Sequence, residues 1–280
     1  MTSVPVTARP SDTLRPVLVA VGADGSGAAL HEAVVVAVRT GVPVHVLHVA
    51  GWGDPAHHRA ADQRILAAAV AEAVVLTAGV VHVTSELAHG DAVDRIVAGG
   101  HADGLTVVQR GTAPHRPYVV DQQICVQVAA RAPGRVVVVP WSWEQHRRSG
   151  PVAVGVADAG QLSAGLLSFA AGAAAAVGAA LRVVHAVGTA VGESEREALR
   201  RRIEVIVERE IGAAAAASVT VDIRQGRAGR VLHEAAEVAA LVVVGRRPPS
   251  GVLGGRIGSV ARTLVDGAAC PVLLAPEGIH

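Results

Sequence analysis

Val242-Val243-Val244-Gly245-Arg246-Arg247-Pro248-Pro249-Ser250-Gly251-Val252-Leu253-Gly254-Gly255-Arg256-Ile257-Gly258-Ser259-Val260 is the stretch on which the fold turns. A short apolar run reads as a buried strand and ends in a glycine. A loop rich in glycine and arginine follows, and Gly258-Ser259 then opens a helix. Glycine lets the backbone approach a ligand closely. A helix start presents unpaired N–H groups and the positive end of its dipole. Ser259 adds a hydroxyl donor. Together these parts describe an anion cradle of the kind that holds phosphate.

The same architecture occurs earlier in the chain with most of its glycines gone. Val107-Val108-Gln109-Arg110-Gly111 is again a strand running into a loop, and Gln122-Gln123 stands where the later copy has Gly258-Ser259. Ala132-Pro133-Gly134-Arg135-Val136 aligns with Ala268-Ala269-Cys270-Pro271-Val272. The chain therefore reads as two related halves, one that keeps a phosphate loop and one that has lost it.

Working outward, strands are expected at Val17–Val21, Val44–Val49, Val81–Leu87, Leu105–Val108 and Val136–Val139. Helices are expected at Ala28–Arg39, Asp54–Ala78, Asp91–Ala98 and Tyr118–Ala130. The second half repeats this with strands near Val152–Val156, Arg182–Val187, Val219–Ile223, Leu241–Val244 and Val272–Leu274, and a charged helix over Glu193–Ile211. Strands alternating with helices indicate parallel sheets covered on both faces. The fold class is α/β: two doubly wound five-stranded parallel-sheet domains in tandem. The expected division is a flexible tail over 1–14, a first domain over 15–140, a polar linker over 141–150 and a second domain over 151–276. Ligands in such folds bind beyond the carboxyl ends of the strands where strand order reverses, which places the crevice between the first and fourth strands of each half.

Composition narrows the function. The 280 residues suit two domains of ordinary size, and 51% apolar residues supply two cores. Only 2% are Phe, Trp or Tyr, so those cores are built from Ala, Val, Leu and Ile. A net charge of +1 and the scarcity of aromatics for base stacking argue against a nucleic-acid binder. The chain has no lysine, which removes the P-loop lysine and Schiff-base chemistry together. Cys125 and Cys270 make no disulfide framework, which fits a reducing cytosol. The start of the chain lacks the charge-then-apolar pattern of a signal peptide. The uncharged Ala164–Leu181 segment is mostly Ala and Gly and reads as a helix buried between protein layers rather than a membrane span.

These residues resemble the universal stress protein family, whose nucleotide-binding members carry Gly, two residues, Gly, nine residues, then Gly-Ser or Gly-Thr. Gly245 and Gly258-Ser259 match at that spacing, with Pro248 at the second glycine. Val21-Gly22-Ala23-Asp24-Gly25-Ser26 resembles the family's opening Asp-Gly-Ser, and Gly155-Val156-Ala157-Asp158 occupies the same place in the second half. Arg182-Val183-Val184-His185-Ala186 looks like the family's second strand. The likeness spans nearly the whole chain and implies an adenine nucleotide alpha hydrolase-like fold in each half, with the fifth strands pairing the halves as a pseudo-dimer.

The resemblance also implies that the second half binds ATP, with or without Mg2+. Asp158 would face the adenine or ribose, and the backbone near Val187 would hold the base. Gly245, Gly258 and Ser259 would hold the phosphates, with Gly255 and Val260 completing the set. Pro248 has no N–H and a fixed φ, so one phosphate donor is lost. Arg246, Arg247 and Arg256 are the cations placed to compensate. In the first half Gln109, Thr112, Gln122 and Gln123 replace the motif, and glutamine side chains there would fill the space of phosphate oxygens. The implied protein is a cytoplasmic stress-response homodimer or intramolecular pseudo-dimer, using an adenine nucleotide as a regulatory ligand. It has no nucleic-acid or membrane partner, and ATP, ADP and cyclic AMP are not separated by the sequence.

Competing readings are plainer. Gly258-Ser259 alone is also a helix cap, and Asp158 alone is also a turn residue. Gly226 after the third strand of the second half reads as a strand-to-helix turn. His57-His58 beside Asp54 and Asp62, with His45 and His48 nearby, lack metal-ligand spacing, so no metal site is expected. Cys270 reads as packed rather than reactive, and Arg200-Arg201-Arg202 as a solvated face. No nucleophile elbow follows a strand, so no catalytic residue is assigned and any hydrolysis would be slow and incidental. The alternative is a non-nucleotide scaffold acting through domain and dimer surfaces. A weaker one is an ATP hydrolase or nucleotidyl transferase.

Overall fold

A computed structural model describes residues 15–276 apart from 24, 51–54, 112–117, 144–148, 157–163 and 247–256. The first half runs β1 (Val17–Val21), α1 (Gly27–Thr40), β2 (Val44–Ala50), α2 (Pro55–Thr77), β3 (Val83–His89), α3 (Ala92–Gly99), β4 (Leu105–Arg110), α4 (Tyr118–Arg131) and β5 (Arg135–Pro140). The second runs β6 (Val152–Val156), α5 (Ala164–Val177), β7 (Leu181–Val187), α6 (Glu193–Ile211), α7 (Ala213–Ala216), β8 (Val219–Gln225), α8 (Ala228–Ala236), β9 (Leu241–Arg246), α9 (Ser259–Gly267) and β10 (Val272–Pro276). The expected α/β class holds. Sequence patterning missed only the single turn of α7, an all-alanine segment with no buried side chain and hence no periodic signal.

All ten strands described join one sheet in the order β3-β2-β1-β4-β5-β10-β9-β6-β7-β8. Each half is a parallel five-stranded unit of the same internal order, and the two meet where β5 and β10 run antiparallel, Val138 opposite Val272 and Val136 opposite Leu274. The valine runs that mark these strands are the reason. A strand buried on both faces needs branched side chains at every position, and Val136, Val137, Val138 and Val139 of β5 are all buried. Within each half the first strand lies between the second and the fourth, so the chain leaves β1 and β4, and likewise β6 and β9, toward opposite sides. A crevice opens at the carboxyl edge between each such pair.

The helices carry small residues toward the sheet. Ala29, Ala33 and Ala37 of α1 and Ala170 and Ala174 of α5 are buried with Leu30 and Leu167, which lets the helix axes come close to the strands. Asp91 caps α3, its carboxylate accepting from Asp94 N–H at 2.9 Å. α6 is held as a solvated helix by Arg200 and Arg201 against Glu197, and buries only Ile203 and Val207. No helix among the described residues is long and apolar enough to cross a membrane.

Candidate nucleotide-binding crevices

In the second half the crevice lies between the ends of β6 and β9. Its loops, residues 157–163 and 247–256, lie outside the described residues, and with them Asp158, Arg247, Pro248, Gly255 and Arg256. Val187, Gly245, Arg246, Gly258, Ser259 and Val260 are described. Gly245 is the penultimate residue of β9 and pairs with Ala275 of β10. Gly258 stands extended at φ −61° and ψ 159° directly before α9, and its carbonyl accepts from Arg262 N–H at 2.9 Å. A Cβ placed on Gly258 meets no atom of the described residues within 4 Å. Gly258 and Ser259 are both exposed. The first amides of α9 have no partner within the helix, and the helix dipole adds positive potential there.

Val187 closes β7, where its carbonyl accepts from Gly226 N–H at 2.9 Å. Gly226 sits at φ +141°, a conformation that a side chain rarely adopts, so this turn needs its glycine. His185, buried at the end of β7, donates from Nδ1 to the Val156 carbonyl at 2.9 Å. It ties β7 to the last residue of β6, on the edge from which the crevice opens.

Arg246 departs from the expectation that it partners phosphate. Its side chain is 4% exposed and turns away from the crevice into the other half. Nη2 donates to the Ala132 and Gly134 carbonyls, both at 2.7 Å, and Nη1 to Ala130 at 3.4 Å. Its guanidinium is thus spent on the carbonyls that end α4. Burial pushes its pKa below the usual arginine value. Arg110, last in β4, does the reverse. It donates to Leu264, Val265 and Ala268 at the end of α9, with Val265 at 2.9 Å and Ala268 at 2.5 Å. The helix whose start forms the cradle is therefore anchored at its far end by the first half.

The first half carries a crevice of about 280 Å³ at the corresponding edge, lined by Val21, Ser26, His48, Asp62, Gln109 and Cys125 among others. Its chemistry differs. Gln109, in the place of Gly245, puts its side-chain oxygen 3.4 Å from Ala29 N–H near the start of α1. Ser26 is buried and accepts from Gly22 N–H at 2.8 Å. α4 begins at Tyr118, so Gln122 and Gln123 lie inside the helix rather than at its start. Their amides are past the unsatisfied first turn and are used within the helix. The cradle seen at α9 is thus overwritten here by a longer helix.

His48 and Asp62 were not singled out as a pair in sequence. His48 donates from Nδ1 to the Val21 carbonyl at 2.8 Å, as His185 does to Val156, and its Nε2 lies 3.2 Å from Asp62 Oδ1. The one signal was the shared position of His48 and His185 in the second strand of each half. Asp62 sits on α2, which shows no amphipathic pattern that would orient it. His45, also considered with them, faces Thr84 Oγ1 at 2.8 Å instead.

Residues 151–276 match the sequence model of the Universal stress protein family. No curated protein matches the chain. Among solved structures, the chain is similar to a putative universal stress protein from Pseudomonas aeruginosa, with 20% identity, a TM-score of 0.67 and 94% of each chain covered. It is similar to a universal stress protein from Archaeoglobus fulgidus at 16% identity and a TM-score of 0.67, over 93% of this chain and 98% of that one. The cytoplasmic domain of a prokaryotic cation chloride cotransporter shares the fold at 13% identity and a TM-score of 0.50, over 94% and 95% of the two chains.

Proposed function

We propose that this chain, whose residues 151–276 are a Universal stress protein family domain, is a cytoplasmic stress-response protein that binds ATP in that half as a regulatory ligand. The observation that carries the reading is the start of α9. Exposed Gly258 and Ser259 lead into α9 amides that no described side chain caps, and no described atom stands within 4 Å of a Cβ at 258. That is the donor set that a polyphosphate needs. Asp158, Arg247, Gly255 and Arg256 belong to the same proposed site through their loops. ATP, with or without Mg2+, would bring the charge that the α9 start attracts.

Turnover is not part of the reading. The described groups around α9 bind and orient an anion, and none is placed as a base for an attacking water. Occupancy rather than hydrolysis is the signal. Because Arg110 holds the end of α9, a ligand at its start acts on a helix already fastened to the other half.

The test is to denature freshly purified protein, remove it, and assay the supernatant for ATP, ADP and cyclic AMP by mass spectrometry. The reading expects ATP as the main released nucleotide. Release of no adenine nucleotide, together with no thermal shift on adding any of the three, would favour the scaffold reading in its place.

A further inference from the structure

The seam between the halves is covered differently on its two faces. On one, α4 and α9 pack together and the two arginines cross. On the other, α1 and α5 flank a cavity of about 540 Å³. Its floor is the sheet itself, including Val137 of β5 and Leu273 of β10. The gap follows from sequence: α5 presents Gly172, Ala173 and Ala176 to it, side chains too small to fill the space between helices.

The described lining of this cavity is cationic on balance. Arg135 stacks its guanidinium 5.0 Å from the Phe169 ring centre and donates from Nη2 to the Asp103 carbonyl at 2.9 Å. Its Nε is buried without a hydrogen-bond partner. The Asp103 carboxylate faces Arg15 at 3.7 Å. Among the described lining residues, three arginines (15, 39 and 135) stand against two carboxylates (Glu32 and Asp103), an excess of one positive charge. Burial lowers the Arg135 pKa, and the nearby Asp103 carboxylate, which Arg135 shares with Arg15, only partly offsets this. An apolar floor with a described lining that is positive by one charge, and with Arg135 held against it, is complementary to a molecule with one apolar chain and one negative head.

We propose that this cavity is a binding site for a single-chain amphipathic carboxylate of fatty-acid size, its chain along the seam between α1 and α5 and its head at Arg135. The size suits one such ligand, since pockets for molecules of this class run from about 300 to 1,000 Å³. The site is separate from the nucleotide crevices, lies on the seam, and does not rest on the nucleotide reading.

The experiment titrates the full-length protein with dodecanoate below its micellar concentration, by calorimetry and by thermal melting. Saturable binding at one site per chain is expected, weakening about fourfold per methylene removed on going to decanoate and octanoate. Dodecyltrimethylammonium should bind at least tenfold more weakly. Gly172→Phe fills the cavity from a position whose Cβ meets open space, and should abolish binding while the variant melts as the parent does. Arg135→Met should weaken dodecanoate at least tenfold and leave dodecanol unchanged. Absence of saturable binding, equal affinity for the ammonium, or undiminished binding in folded Gly172→Phe would each overturn the proposal.

Discussion

Arg246 and Arg110 hold the two halves by the same chemistry in opposite directions. Each closes a strand, and each spends its guanidinium on carbonyls at the end of a helix in the other half. Ala130, Ala132, Val265 and Ala268 lie at helix ends, where carbonyls are left without intrahelical partners, while Gly134 lies in the turn after α4 and Leu264 also accepts from Ala268 N–H; a buried cation is also the right charge for that end of the dipole. Removing the guanidinium while keeping the stem, as in Arg246→Met, strands buried acceptors at Ala132 and Gly134. A loss of about 2–4 kcal/mol of stability is expected from urea denaturation. The sequence could not show this. An arginine after a valine run and before a glycine-rich loop reads as an anion partner, and the acceptors it finds lie 114 and 112 residues away. Cys270, by contrast, was legible as a packed thiol. Burial pushes it up to about 12 from its ordinary 9.0, and Cys125 is buried too. Neither should react with a thiol reagent at pH 8 in the native protein, and both should in denaturant. The sign of the linkage follows. Below pH 9.0 the Cys270 thiol is protonated in both states, and between 9.0 and about 12 only the unfolded chain ionises. Its contribution to stability therefore falls with rising pH across that window, as urea midpoints measured along it would record.

The two halves differ most at one pair of corresponding helices. α9 opens at Ser259 behind an extended, exposed Gly258, while α4 has already run through a turn by the time it reaches Gln122. The difference was readable as Gly-Ser against Gln-Gln, but its form was not. The glutamines do not simply block a cradle with their side chains; they sit in a helix whose start has moved. Gln109 then adds a carbonyl oxygen beside the start of α1. Most other elements were legible because buried parallel strands of valine, and helices with alanine on the sheet side, leave strong patterns. What patterning left out was the His48–Asp62 contact, since Asp62 lies on a helix with no amphipathic signal to orient it. The expected consequence at this scale is asymmetry: ATP titrated into the protein should saturate at one site per chain. Two equivalent sites would mean that the first-half crevice of about 280 Å³ accepts phosphate despite the longer α4.

Across the whole molecule the sheet is continuous, so the halves share a core rather than a linker alone. β5 and β10 pair at the seam, as the family resemblance implied, and they run antiparallel. In a variant with Trp52 and Trp141 replaced by Phe, Trp143, buried just after β5, reports by fluorescence, while far-UV circular dichroism reports on helices of both halves. Their urea transitions should coincide at one midpoint, and two separated transitions would show that the halves unfold independently. The uneven covering of the seam, closed by α4 and α9 and open between α1 and α5, was not legible, because no local pattern says how two helices far apart in the chain will space themselves. The central claim concerns the start of α9, and the most direct measurement is a calorimetric titration of ATP into the parent protein and Gly258→Asp. The substitution puts a carboxylate in the cradle at a position where a Cβ meets no described atom within 4 Å. The account predicts saturable binding to the parent and none to the variant at equal melting temperature. Equal affinity in both, or no heat from either, would contradict it.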